Sequence, residues 1–374
     1  MGRGYTLGIL LAAVLSLSAA APAVSPEQAR ALEQRGDWAE AVSAWRTLAE
    51  ASPADYRLWT DLGVALAHQQ RYPEAVAAYR KALSLNPAAT ATQMDLGIAY
   101  FKQGDFAHAA AAFQTPAKIP GNTQAEGLLA LSLYGAHQYP AAIPHLEKLA
   151  AVSPDNSELL EALAESYLYS RQFTKAKAEF ELMLRRNPDS PGVHMLLAQA
   201  DDSLNRTTDA VAELHAALAH GYVPNAHFGI GYIAWRDKRY DDAASEFRQE
   251  LASAPHHAEA LAYLGDVLLR SRDPAARTML EQAASLDDSI WIAHLDLGIL
   301  DAQARRNVTA RKQFERAIAL APDDADAHYR LARLYRSEGR EDEAKAQLAV
   351  VTKLHEARHE NLIEKISGSQ TKAQ

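Results

Sequence analysis

The chain has 374 residues, carries a formal net charge of −9 and contains no cysteine. A mildly acidic body argues against a nucleic-acid partner and against anionic membrane surfaces, both of which attract basic patches. Without cysteine, disulfides, thiol catalysis, cysteine-ligated zinc and a cysteine-linked lipid anchor are excluded.

Residues 1–23 (MGRGYTLGILLAAVLSLSAAAPA) have the layout of a signal peptide. Arg3 supplies the positive end and Leu7 to Leu17 the apolar run. Ser18-Ala19-Ala20 or Ala21-Pro22-Ala23 offers the small-residue cleavage site. The run is shorter than the roughly 20 apolar residues that span a bilayer. No later stretch is apolar for long enough either. The expectation is export with cleavage, no stable membrane insertion afterwards, and a periplasmic or secreted location.

Residues 22–55 open an array of helical hairpins. The first helix here is weakly patterned (Gln28, Ala29, Leu32), whereas the second is clear in Trp38, Ala41, Trp45 and Leu48. The hairpin of residues 56–89 is the best formed. Trp59, Leu62, Gly63 and Leu66 share one face at the spacing of an amphipathic helix. Pro73 sits in the first turn of the next helix, where its missing N–H costs nothing. Ala75, Tyr79 and Ala82 then align, and Asn86-Pro87 closes the unit. Gly63, Ala75 and Ala82 are small where two helices must approach; Trp59, Leu66 and Tyr79 fill the space between. One hairpin cannot bury this face alone.

The pattern returns about every 34 residues, with units near 90–122, 123–156, 157–190, 191–223, 224–257, 258–290, 291–324 and 325–358. The Ala75 position is refilled from Ala41 to Ala344, the Tyr79 position by Trp45, Phe113, Leu146, Phe180, Leu214, Phe247, Leu280, Phe314 and Leu348. Leu-Gly recurs at residues 96–97, 264–265 and 297–298, and Ile-Gly at 230–231. In these residues the chain resembles the tetratricopeptide repeat (TPR) family, whose signature is W-x2-L-G-x2-Y…A-x3-F…P. The resemblance covers roughly residues 22–358. It implies an all-α fold, a right-handed superhelical solenoid of about ten helix–turn–helix units, with an array over 24–358.

Three units depart from the pattern. Pro116, followed by Pro120-Gly121, should stop a helix near Thr115. The sixth unit ends on Gly221 and Pro224, and the eighth carries Asp287-Asp288 in place of the closing proline. Residues 359–374 read as a capping helix, extended by Leu354, Leu362 and Ile366, and a disordered polar tail from Ser367.

Chemistry is sparse. An all-helical array offers no strand for a phosphate loop or a nucleophile elbow. His355-Glu356-Ala357-Arg358-His359 matches H-E-x-x-H, in which two histidines on one helical face bind zinc and the glutamate activates its water. A third ligand is wanting, with Glu360 and Glu364 the only nearby carboxylates. The alternative of a zinc metalloprotease or metal-binding protein therefore ranks below a solvated capping helix, and no catalytic residue, metal or cofactor is expected. His194, His227, His294 and His328 all take the Trp59 position, where packing is the expected role.

What remains is surface. In the TPR family the first helix of each unit lines the concave side, and the resemblance puts a ligand groove at the positions of Thr60, Val64 and Ala67. Along the array these positions hold Met94, Ile98, Phe101, Leu131 and Tyr134, then Glu158, Glu161 and Glu165. Farther on come Phe228, Tyr232 and Trp235, then Leu295 and Ile299, and finally Tyr329, Arg333 and Arg336. The lysine-and-asparagine clamp with which some family members hold a C-terminal carboxylate is absent. An aromatic stripe on a helix that already has a core face marks either an interaction site or packing between neighbouring first helices. The expected function is a non-enzymatic protein–protein interaction scaffold of the cell envelope. It would hold a peptide or helix of unknown identity, as similar exported proteins do in assembly and secretion.

Overall fold

The structure, a computed structural model, describes residues 24–370, with side chains through residue 357. The leader, the side chain of His359 and the last four residues lie outside the described part. Among the described residues every regular element is a helix, and none is long and apolar enough to cross a membrane.

Helices α1 (Pro26–Arg35) to α9 fall in one compact unit that ends at Ser170, and α10 to α20 in a second that begins at Arg171. The first holds α2 (Trp38–Ala51), α3 (Tyr56–His68), α4 (Tyr72–Leu85), α5 (Thr90–Lys102), α6 (Phe106–Phe113), α7 (Thr123–Gly135), α8 (Tyr139–Val152) and α9 (Ser157–Tyr169). The second holds α10 (Phe173–Arg186), α11 (Pro191–Ser203), α12 (Thr207–Ala217), α13 (Ala226–Arg236), α14 (Tyr240–Ser253), α15 (Ala258–Arg270) and α16 (Ala275–Leu286). It continues through α17 (Trp291–Gln303), α18 (Asn307–Leu320), α19 (Ala325–Ser337) and α20 (Glu341–Gln370). Within each unit, consecutive helices pair as hairpins, each second helix packs on the next first helix, and first helices touch their successors (α3 on α5, α15 on α17). The division falls at the turn between α9 and α10, inside the repeat read as 157–190.

The close approach of paired helices has a simple steric basis. A Cβ added at Gly231 would lie 2.7 Å from the Phe247 ring, and one at Gly298 2.6 Å from Phe314. Gly63 faces Tyr79 in the same way. Trp45, Tyr79, Phe113, Leu146, Phe180, Phe247, Leu280 and Phe314 are all essentially inaccessible. Each such side chain contributes about 1.5–3 kcal/mol by leaving water.

The turn inside each hairpin adopts one left-handed residue, at Gln70, Gly104, His137, Asn205, Lys238, Arg272, Arg305 and Gly339 among others. Only glycine does this without a steric cost. The first helix, weakly patterned in sequence, is held by a full capping box: Gln28 N–H donates to Ser25 Oγ, and Ser25 N–H donates to Gln28 Oε1.

The Trp59 position is a hydrogen-bonded latch, which goes beyond the expected packing role. Trp59 Nε1–H donates to the carbonyl of Pro53, and Gln93 does the same to Pro87. His194, His294 and His328 reach the carbonyls of Pro188, Asp288 and Pro322 with Nε2. Their Nδ1 atoms lie 2.6–2.7 Å from Glu213, Gln313 and Gln347 on the following helix. His227 meets Glu246 likewise at 2.7 Å. His194, His294 and His328 thus each tie the preceding turn to the second helix of their own hairpin.

The irregular units behave as their prolines demand. Helix α6 ends at Phe113 and a single 3-10 turn spans Pro116–Lys118. Helix α12 ends at Ala217, followed by a 3-10 turn at Leu218–His220. Helix α20 runs without interruption to Gln370, through Ser367, where the sequence suggested that order ends.

Candidate functional site

In the second compact unit, the first helices α13, α15, α17 and α19 line a hollow of about 880 Å³ whose wall includes Trp235, Asp266, Arg270, Trp291, Asp296 and Arg330. Helix α17 lines it from Trp291 to Gln303, one face along its length, because positions three and four apart share a face. Asp266 is almost fully buried and accepts three hydrogen bonds. Trp235 Nε1–H donates to its Oδ2 at 2.6 Å, while Arg270 donates from Nε to Oδ2 at 2.7 Å and from Nη2 to Oδ1 at 2.9 Å. The Arg270 guanidinium also lies over the Tyr240 ring, 4.9 Å from its centroid, a cation–π contact that fixes it further.

Asp296, beside this pair on α17, is different. Its side chain is 2 % exposed, and its Oδ2 has no hydrogen-bond partner. Burial pushes its carboxyl well above the ordinary range, the neighbouring Asp266 adds to this, and Arg270 opposes it in part. Asp326, from α19, pushes the same way and pairs with Arg330 at 3.1 Å. Arg277 of α16 is taken up by Asp301 at 2.8 Å. The hollow is therefore a charge-rich pocket with Arg270, Arg277 and Arg330 committed and one buried carboxyl left over.

The residues expected to line a groove fall into separate groups. Phe228, Tyr232 and Trp235 do form one stripe, and Tyr263 of the next first helix meets all three rings, with centroids 5.9, 5.4 and 4.9 Å away. The stripe is thus packed along one edge and half-buried overall, and only Trp235 reaches the large hollow. Leu295 and Ile299 line it too. Tyr329 is 43 % exposed, and with Arg333 and Arg336 it borders a smaller hollow of about 290 Å³.

In the first compact unit, Tyr134 O–H donates to Glu165 Oε2 at 2.6 Å, and burial with this carboxylate raises the phenol above its usual range. Glu158 and Glu161 are exposed, while Met94, Ile98, Phe101 and Leu131 are half-buried. Phe101 lies edge-on to Phe106 at 5.3 Å.

Asp266 and Asp296 were missed by sequence reasoning, although signals for both exist. Asp266 occupies the Val64 position of the eighth unit, one of the positions that define the groove. Asp296 repeats Asp61 and Asp95, each immediately before Leu-Gly. The H-E-x-x-H segment gives nothing comparable. His355 and Glu356 are exposed, and no group of three His, Asp or Glu set to hold a metal occurs among the described residues.

Paired helices stacked by ring-on-glycine contacts, unit after unit, define an array of the interaction-scaffold class. The family model of the tetratricopeptide repeat matches residues 27–90, 195–257 and 239–276, and a second model of the same description matches 66–131, 133–200 and 301–366. The chain belongs to the tetratricopeptide repeat family and is a protein–protein interaction scaffold.

Among solved structures, the APC/C hetero-tetramer Cut9–Hcn1 is similar over 87 % of this chain and 79 % of that one, at 14 % identity and a TM-score of 0.52. PilF of Pseudomonas aeruginosa is similar over 53 % of this chain and 90 % of its own, at 21 % identity and 0.47. YrrB, described as a TPR protein with an unusual peptide-binding site, covers 50 % and 97 % at 22 % identity and 0.38. At these identities the likeness concerns the fold alone. No curated protein sequence matches the chain.

Proposed function

We propose that this protein is an exported, non-enzymatic scaffold of the cell envelope that holds a peptide segment or helix of a partner protein on its first helices. Its place would be in assembly of an envelope or secretion complex. The observation that carries the reading is the hollow walled by Trp235, Trp291 and buried carboxylates in the second compact unit. Aromatic rings beside fixed polar groups are the usual make-up of a protein-recognition hot spot. The leader of residues 1–23 supports export.

A pull-down from the native host with wild type and a Tyr232→Ala/Trp235→Ala variant tests the reading. Loss of the captured partners in the variant is expected; full retention would overturn the groove assignment. Export has its own measurement, the N-terminal sequence of the protein recovered from the envelope. Cleavage is expected to leave Ala21 or Val24 first.

A further inference from the structure

The large hollow holds a polar atom that the fold does not satisfy. Asp296 Oδ2 is buried without a hydrogen-bond partner, in a wall where Trp235, Arg270, Arg277 and Arg330 are spent on other carboxylates. Trp235 and Arg270 both serve Asp266, Arg330 serves Asp326, and Arg277 serves Asp301. Leaving one buried acceptor unmade costs about 1–3 kcal/mol, so the occupant of this hollow should bring donors. An apolar side chain brings none. An anion would meet Asp266 and Asp296 with their cationic neighbours already neutralised. A divalent cation needs several oxygen ligands around one point, and no such group is set among the described residues. A lysine ammonium has three donors and an arginine guanidinium five, with no acceptor to be stranded.

We propose that the hollow between α15, α17 and α19 receives a lysine or arginine side chain from an extended basic segment of a partner protein, with the Asp266–Asp296 carboxyl pair as its acceptor. This rests on the peptide-scaffold reading above and names the chemistry of its ligand. The groups that face Asp296 are Asp266 and Arg270 from α15 and Asp326 from α19. Burial above all, with two acids against one base around it, keeps the proton on Asp296 while the hollow is empty. An arriving cation takes over the role of that proton, so binding releases it to solvent and affinity rises with pH until Asp296 ionises unaided.

The test uses the full mature chain and acetylated, amidated hexalysine as the probe. Titration calorimetry is run in two buffers of different ionisation heat, at about 0.15 M salt to screen contacts beyond a Debye length of about 8 Å. Wild type should bind hexalysine with net proton release, and more tightly at pH 8 than at pH 5. Asp296→Asn, which keeps the shape and removes the charge, should weaken binding about tenfold and abolish both proton release and the pH trend. Glu50→Gln, at an exposed position of α2 in the first compact unit, should change neither.

Equal affinity in wild type and Asp296→Asn, or no heat of binding in wild type, would overturn the proposal. Spermidine binding as tightly as hexalysine would overturn the peptide part of it. The pull-down separates the two readings. If Asp296→Asn keeps every partner while the Tyr232/Trp235 variant loses them, the scaffold reading stands and the cation subsite falls.

Discussion

Gly231 lies so close to the Phe247 ring that a methyl group there has no free volume. Gly231→Ala should therefore strain the helix pair and cost about 1–3 kcal/mol, read as a lower urea midpoint in the Trp235 and Trp291 fluorescence that reports the second compact unit. This pairing was legible in the sequence, because glycine and ring recur together at a fixed interval. The latch at the Trp59 position was not. Its partners lie six residues before and nineteen residues after the ring, off the apolar stripe that periodicity reveals. His328→Phe keeps the packing and removes both hydrogen bonds, and should cost about 1–3 kcal/mol in the same assay. His328→Gln, which mimics Gln93, should recover part of the loss.

Asp296 makes a pH-dependent prediction with a definite sign. Its carboxyl is raised in the fold above the ordinary value of 3.8. Above about pH 4 the unfolded chain gives up this proton while the native protein keeps it, so stability falls as pH rises. Asp296→Asn does not titrate. Its melting temperature should match wild type near pH 4 and exceed it increasingly toward pH 8, as followed by scanning calorimetry. The burial of this residue was invisible in sequence, where an aspartate before Leu-Gly reads as an ordinary half-exposed position.

Helix α13 shows how one irregular element is held. Its N-cap residue, Asn225, has a positive φ of 68° and offers no side-chain cap. Glu250, fully buried on α14, takes over. Its carboxylate accepts from the Tyr222 hydroxyl at 2.8 Å, from Asn225 N–H at 3.1 Å and from Phe228 N–H at 3.2 Å. A carboxylate at a helix N-terminus also meets the positive end of the macrodipole. Glu250→Ala strands these donors and should cost about 2–4 kcal/mol, with faster amide exchange at the start of α13 as the local signature. The break after α12 could be read from Gly221 and Pro224. Its repair could not, because Glu250 lies some twenty-five residues downstream on a helix whose own pattern is regular. Pro116 is the converse case, since its consequence is local and α6 stops where proline geometry requires.

For the chain as a whole, the repeat count and helical class follow from the recurring small and large residues, and the sequence carries both in full. The division at Ser170 and Arg171 does not show in that pattern, because the apolar positions run through residues 157–190 without a gap. Arrays whose parts touch only their neighbours unfold by regions, so a single two-state curve is not expected. The tryptophans allow a direct check. Trp38, Trp45 and Trp59 lie in the first compact unit, Trp235 and Trp291 in the second. In a Trp235→Phe/Trp291→Phe background, adding Glu250→Ala should leave the fluorescence midpoint of the first unit unchanged. With only Trp235 and Trp291 present, the same substitution should lower it.

The latch ring donates on one side to a main-chain carbonyl, a group that every amino acid supplies. On its other side it asks only for a polar side chain, and glutamate or glutamine serves equally. Neighbouring hairpins therefore need no matched pair of residues to be joined. A gene built from such modules can gain or shed whole copies by unequal crossing-over, and a joint that carries the ring finds its fastening already in place.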